Sequence, residues 1–506
     1  MTDTTAYAGL EERFRRRALI GDALGILDWD QATTMPEGSA EGRAEQIATL
    51  SVLRHDLMVA PGVDAAIASA ERELDAAGET DIAEWRRGNL REMKRVHQIA
   101  AAVPGDLVAA AARANAACEI QWRRARTEND YPGLLPALRE VVNLVRETAA
   151  ARADALALEP YDALLEEYEA GTRMARLDPL FDRLASHLPE LLPRVLEHQR
   201  AQPAPVRPEG PFPVADQRAL AAELMQALGF DFTRGRLDVS HHPFCGGATG
   251  DVRITTRYNE DDFTESLMGV LHETGHALYE SGLPAEWRFQ PVGGALGMAI
   301  HESQSLLVEM QVSRSRPFLS FALPRMKAVF AGTGPAWDVD NIYRLYTQVQ
   351  PGFIRVDADE VTYPLHIVLR YRLERAILSG DLDLADLPGA WNDAMRNLLG
   401  ITPPDDRLGC LQDIHWPAGS FGYFPTYTLG AMAAAQFFRA ARRALPDLDG
   451  DIAAGRLEPL LGWLRANVHG RGACHTADEL LIRATGEALN PDIFLDHLEA
   501  RYMADV

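Results

Sequence analysis

Residues 272–276 read HETGH: two histidines four apart, with a glutamate directly after the first, inside the apolar pattern of ESLMGVLHETGHALYESG (265–282). On a helix, positions i and i+4 share a face, so the imidazoles of His272 and His276 project together and can take two places around one divalent ion. Glu273 falls beside such an ion rather than on it, where a carboxylate acts as general base toward a water. Chance pairing of two helix histidines is the plain alternative, so the reading needs a third ligand. A histidine six residues after His276 would supply one, but Gly282 stands there. Glu280 lies one turn further along the same helix, too far from His272 to share an ion comfortably. Glu302, in GMAIHESQSLLVEMQ, comes 26 residues after His276, beyond a loop long enough to start a second helix against the first. Its neighbours Met298, Ile300, Leu306 and Leu307 weaken the reading of Glu302 as a solvated residue, and His301 is the rival ligand. Zinc is the default for a His₂Glu site with an open position, and the ordering of divalent-metal affinities leaves cobalt as a second choice.

A helix has to carry the pair, and its punctuation is visible. Acidic residues open it after Asp261, Gly282 and Pro284 stand past its end, and the residues predict one helix from Asp261 to about Ser281. Before it, DVRITTRYN (251–259) is rich in β-branched residues and follows the Gly-rich CGGATG, which predicts a small sheet beside the helix. Residues 1–200 read as a succession of long amphipathic helices, EERFRRRALIGDALGIL and PGDLVAAAARANAACEIQWRRARTE among them. The segment AQPAPVRPEGPFPV (201–214) cannot be helical and predicts a surface connection between two mostly helical halves. From 261 onward the helical pattern is interrupted by loops around 282–294, 314–318, 331–336, 350–360 and 400–425. The fold class is mainly α, with a small β-sheet.

Composition narrows the partners. A net charge of −23 argues against nucleic acid, which needs a basic surface. Among 506 residues no apolar run approaches the ~20 residues of a membrane helix. The N-terminal stretch MTDTTAYAGLEERFRRRALIGDAL has no apolar signal core and carries acidic residues, so a cytoplasmic location is expected. The four cysteines, Cys118, Cys245, Cys410 and Cys474, are far apart without a CxxC pair, so reduced thiols are expected rather than disulfides.

Several short stretches resemble one family, the metallocarboxypeptidases of the carboxypeptidase Taq type. They are HPF (242–244), DVRIT (251–255), HETGH (272–276), HESQS (301–305), IRVDAD (354–359) and GCLQDIHW (409–416), in an order and spacing that also fit. WDQATTMPEG (29–38), DEVTYPLHIVLR (359–370) and FGYFPTYTLG (421–430) extend the resemblance over nearly the whole chain. It implies a single zincin-type peptidase domain over 1–506, saddle-like with a central groove. In it, 1–200 forms an N-terminal helical half contributing a groove wall or lid, and 215–506 forms a catalytic half. It also implies metal-dependent removal of C-terminal residues from peptides with a free C-terminus, and a homodimer.

On that resemblance His272, His276 and Glu302 hold the metal and Glu273 is the base. Arg355, in IRVDAD, is the first choice for receiving the substrate's terminal carboxylate, with a structural ion pair to Asp357 or Asp359 as the alternative. Arg253, in DVRIT, is the second choice, and a role in supporting the sheet is its alternative. Tyr423 is the candidate oxyanion donor with Tyr427 as its rival. His415 is placed at the substrate backbone, with Gln412 and Asp413 as supports that orient it. His242 is expected on a loop lining the groove, with Gly246 and Gly247 allowing a tight return. A helical metallo-oligopeptidase cutting internal bonds shares HExxH and a downstream glutamate and is the enzymatic alternative. A non-catalytic peptide-binding protein of the same fold is the remaining one.

Overall fold

A computed structural model describes residues 5–76 and 80–504; the first four residues of the N-terminal stretch read above lie outside them. The Ala-, Leu- and Arg-rich stretches of the first 200 residues form helices from Ala6–Thr33 through Met174–Ala201, as their helix-favouring composition and 3.6-residue apolar period require. Several begin on a capping side chain: Thr80 accepts from Ala83 N and Asp130 from Gly133 N, satisfying amides that a helix start leaves without partners.

The proline-rich segment runs extended between Ala201 and Val214, but it is more than a surface connection. Its backbone is bound by residues that follow it in the chain, Val206 N donating to Asn341 Oδ1 at 2.8 Å and Phe212 N to Glu260 O at 2.7 Å. Phe212 is itself buried against Phe263, Phe330 and Trp337. Phe212 and the buried Pro208 seat this proline-rich stretch on the protein.

Three strands form the small sheet: β1 (Gly235–Val239), β2 (Phe244–Ala248) and β3 (Asp251–Thr256). The order is β1-β3-β2, β3 pairing parallel with β1 and antiparallel with β2. The expected strand is β3, three residues shorter than DVRITTRYN. Gly246 and Gly247, expected to make a tight return, instead lie within β2, and the return falls at Thr249–Gly250. Val252 and Ile254 of β3 pack on Val270 and Ala277, so the sheet lies against the helix that carries HETGH.

That helix spans Phe263–Gly282, close to the predicted bounds. Asp262 caps it, accepting from Thr264 N at 2.8 Å, and Pro284 follows its end. A second helix, Gly297–Leu306, carries Glu302 and passes into a π-helical turn over Leu307–Ser313. Below them lie two large apolar cores. One, around Leu267, Leu271, Ile300 and Phe437, is built within 212–481. The other joins Leu134, Leu177 and Leu188 of the N-terminal helices to Leu365, Trp391 and Leu429, so helices on both sides of the proline-rich segment share apolar packing.

Candidate active site

The two metal-site helices touch at Gly275, the glycine of HETGH. A Cβ there would lie 2.4 Å from Gln304 O and 2.6 Å from Ser305 Cα, so only glycine allows backbone contact at this depth. The contact brings Glu302 to the histidine face. Glu302 Oε2 is 3.3 Å from His276 Nε2 and 3.8 Å from His272 Nε2. Ligands about 2.1 Å from a tetrahedral zinc are separated by roughly 3.4 Å, and both separations from Glu302 are close to that value. Among the described residues, His272, His276 and Glu302 are the group of histidine, cysteine and carboxylate side chains able to meet on one ion.

The far nitrogens of both imidazoles are tied down. His276 Nδ1 is bonded to His301 O at 3.1 Å, and His272 Nδ1 to Glu309 Oε2 at 2.9 Å. Each ring therefore turns Nε2 toward Glu302, the arrangement in which an imidazole ligand is held in one tautomer and orientation. Glu309 lies on the π-helical turn, and Arg314 Nη2 holds its other oxygen at 2.5 Å. The rival ligand His301 gives its ring to Glu280, Nε2 to Oε1 at 2.8 Å, and so faces away from the ion position.

The electrostatics of the triad reflect its carboxylates. Burial disfavours imidazolium, but Glu302 and Glu309 outweigh it at His272 and push it up to about 10, while burial holds His276 down to about 4. Glu302 is buried too, yet the histidines hold it down to about 2. Glu273, 7% exposed, is pushed up to about 7, mainly by burial. A carboxylate poised near neutrality suits proton transfer in both directions.

A cavity of about 400 Å³ opens on His272, Glu273 and Glu302, and Arg355, Tyr363 and Tyr427 line it too. Arg355 is not paired with Asp357 or Asp359. Asp413 receives it, Oδ1 lying 3.1 Å from Nε and 3.0 Å from Nη2, and the ring of Tyr427 lies 4.9 Å from its guanidinium carbon. Asp359 instead accepts from the backbone of Gln350, Val361 and Thr362. The other oxygen of Asp413 holds Arg370 Nε at 2.7 Å, and Gln412 Oε1 takes Arg370 Nη2 and Arg355 N. Gln412 and Asp413 thus orient two arginines rather than the ring of His415. Two buried guanidinium groups share one carboxylate, which leaves one positive charge over at the cavity wall.

His415, Tyr423 and Tyr427 form one cluster. His415 Nε2 lies 3.3 Å from the Tyr427 hydroxyl, and the rings of Tyr423 and Tyr427 are 5.3 Å apart. Burial holds His415 down to about 4 and Tyr427 up to about 12, so both are neutral near pH 7. Just before the helix Pro425–Ala444 that carries Tyr427, the loop carrying His415 and Tyr423 meets Glu374, buried in the helix Tyr363–Ser379. Its carboxyl group accepts from Trp416 Nε1 at 2.8 Å, Gly422 N at 3.0 Å and Tyr161 Oη at 2.7 Å.

The remaining candidates lie elsewhere. Arg253 is clamped by Asp251, with Nε at 3.0 Å, and stacks over Trp29 at 4.5 Å, where β3 meets the first helix; it is not among the residues lining the metal cavity. His242 is exposed, edge-on to His241, and the adjacent Pro243 lines the cavity. Glu309 and Glu374 were missed by sequence reasoning. For Glu309 a signal existed, since it follows Glu302 by seven residues, two helical turns on the same face. Glu374 has no local signal, because its partners lie 42 to 213 residues away.

Comparison with known proteins identifies the family. The family model for carboxypeptidase Taq (M32) metallopeptidases matches residues 9–502. Thermostable carboxypeptidase 1 of Thermus thermophilus is 41% identical over 515 aligned residues, covering 100% of this chain and 99% of that protein. Among solved structures, metallocarboxypeptidase 1 of Trypanosoma cruzi superposes with a TM-score of 0.95 at 42% identity, covering 99% of each chain. The M32 carboxypeptidase of Deinococcus radiodurans gives 0.90 at 34%, covering 98% of each. The chain belongs to the carboxypeptidase Taq (M32) family and is a metallocarboxypeptidase that removes C-terminal residues from peptides.

Proposed function

We propose that the peptide's terminal carboxylate docks on Arg355 while its last peptide bond lies over His272, His276 and Glu302, with Glu273 as general base. The observation that carries this reading is the surplus positive charge of the Arg355–Asp413–Arg370 network in the wall of the cavity that also opens on the metal triad. Asp413 fixes the plane of the Arg355 guanidinium, and a planar fork set in this way binds a carboxylate by paired hydrogen bonds. A divalent ion held by the triad, zinc first and cobalt second, would polarise the scissile carbonyl and acidify a water. Glu273 takes the proton of the attacking water and passes it to the leaving amine, for which its elevated affinity near neutrality suits it. The Tyr427 hydroxyl, on the cavity wall, donates to the developing oxyanion, while Tyr423 and His415 hold it in place. His242, at the rim, meets the peptide upstream of the cleaved bond. Arg253 supports the junction of β3 with the first helix.

The helices of residues 1–200 form one groove wall, residues 215–506 carry the chemistry, and the enzyme works as a homodimer in the cytoplasm. Chelator inactivation followed by reconstitution with zinc or cobalt, monitored by amino acid release from an N-blocked dipeptide, tests the reading. Activity should vanish and return with either ion. Full activity in the chelated protein would overturn it.

A further inference from the structure

Glu302 sits on a helix that cannot cap itself. Gly297–Leu306 follows Leu296, whose side chain offers no acceptor to the amides that the first turn leaves without helical partners. The missing acceptor comes from far away in the chain. Glu169, at the end of the helix Pro160–Tyr168, is 2% exposed, and its Oε2 accepts the Ala299 amide at 2.7 Å. Ala299 is the third residue of the Glu302 helix, the position an N-cap side chain normally serves. The fit is close: Gly297 has φ +57°, and a Cβ built there would stand 2.5 Å from Glu169 Oε2. Glu169 is tied in turn to its own turn, its amide donating to Leu165 O and its carbonyl accepting from Thr172 N. The neighbouring Tyr168 packs edge-on against Tyr423 at 5.0 Å.

We infer that Glu169 is a positioning residue for the metal site: it caps the Glu302 helix in trans from the N-terminal helices and sets where the Glu302 carboxylate stands relative to His272 and His276. Glu302 lies only three residues beyond the capped amide, so a first turn that frays moves the ligand itself. The inference rests on Glu302 being a ligand. Outer groups that orient metal ligands typically govern affinity by 10- to 100-fold, and a cap acting through the backbone belongs near the lower figure.

The test is zinc affinity by chelator competition, with the absorption spectrum of the cobalt-loaded protein as a second readout, on wild type, Glu169→Ala, Glu169→Gln, Gly297→Ala and Glu302→Ala. Glu169→Ala should bind zinc about 10-fold more weakly and shift the cobalt bands. Glu169→Gln, whose amide oxygen still accepts the Ala299 N–H, should restore both. Gly297→Ala, which displaces the Glu169 carboxyl group from the other side, should weaken zinc to a similar degree and serves as the deciding variant should Glu169→Ala not fold. Wild-type zinc affinity and cobalt bands in Glu169→Ala or, failing its folding, in Gly297→Ala would overturn the inference, as would a loss in Glu169→Gln as large as in Glu169→Ala. Glu302→Ala separates the two levels: if it keeps wild-type affinity the ligand assignment itself fails, whereas loss there with none at Glu169 or Gly297 removes only the capping role.

Discussion

Replacing Glu309 should loosen the metal without touching a ligand. Its Oε2 holds His272 Nδ1 at 2.9 Å and its Oε1 holds Arg314 Nη2 at 2.5 Å. Glu309→Ala frees the His272 ring, and losing such an anchor typically weakens metal binding 10- to 100-fold, or about 1.4–2.7 kcal/mol. It also strips a mostly buried guanidinium of its carboxylate, a change that costs roughly 3–5 kcal/mol. The lower end applies, because Arg314 side-chain atoms are 19% exposed and Nη1 keeps Tyr346 O at 3.3 Å. Glu309→Gln keeps one carbonyl for two donors and should lie at about 10-fold in metal affinity. The assay is zinc affinity by chelator competition beside thermal unfolding, followed by turnover at limiting and at saturating zinc. The activity defect should be large at limiting zinc and mostly recovered at saturation. Zinc affinity within twofold of wild type in a folded Glu309→Ala would refute the idea that this carboxylate sets the ligand.

Two further outcomes are expected. Glu273→Gln should retain bound zinc while turnover falls by about 10²–10⁴; unchanged turnover would mean that the base lies elsewhere. Burial raises Glu374 from its ordinary 4.5 to about 7 in the folded protein, so the native state binds more protons there than the unfolded chain across that interval. Its contribution to stability is therefore full below pH 4.5 and is lost as pH rises through about 7. The difference in unfolding free energy between wild type and Glu374→Gln, measured by denaturant titration, should shift against wild type as pH rises over that interval; a flat difference would contradict the assignment.

HETGH and Glu302 were legible because metal chemistry writes itself into local spacing: i and i+4 on one helix, and a second acidic residue in an apolar helix after a loop of sufficient length. The helix bounds were legible for a similar reason, since Asp262 and Pro284 act within a turn of the residues they punctuate. Arg355 was singled out only through resemblance, and the ion pair weighed for it was with the wrong aspartates. Asp357 and Asp359 are near in sequence, but the short turn at Arg355–Asp357 sends the guanidinium to Asp413, 58 residues away. Glu169 and Glu374 show the same limit. A carboxylate that serves backbone amides, hydroxyls and ring nitrogens 42 to 213 residues away leaves no period and no motif, and only the packed chain reveals what it holds. The strand Phe244–Ala248 was hidden by its two glycines, which read as a turn and turned out to be ladder positions.

In the proposed mechanism Arg355, oriented by Asp413, recognises the terminal carboxylate beside the metal triad. The most direct measurement is the ratio of kcat/KM for an N-blocked dipeptide to that for its C-terminal amide, in wild type and in Arg355→Gln. A ratio within one protein cancels differences in folding and metal content. It should exceed about 10² in wild type, as expected when a buried charged hydrogen-bonded pair worth roughly 3 kcal/mol is lost, and should fall toward one in the variant. An undiminished preference for the free acid in Arg355→Gln would place the carboxylate on another residue.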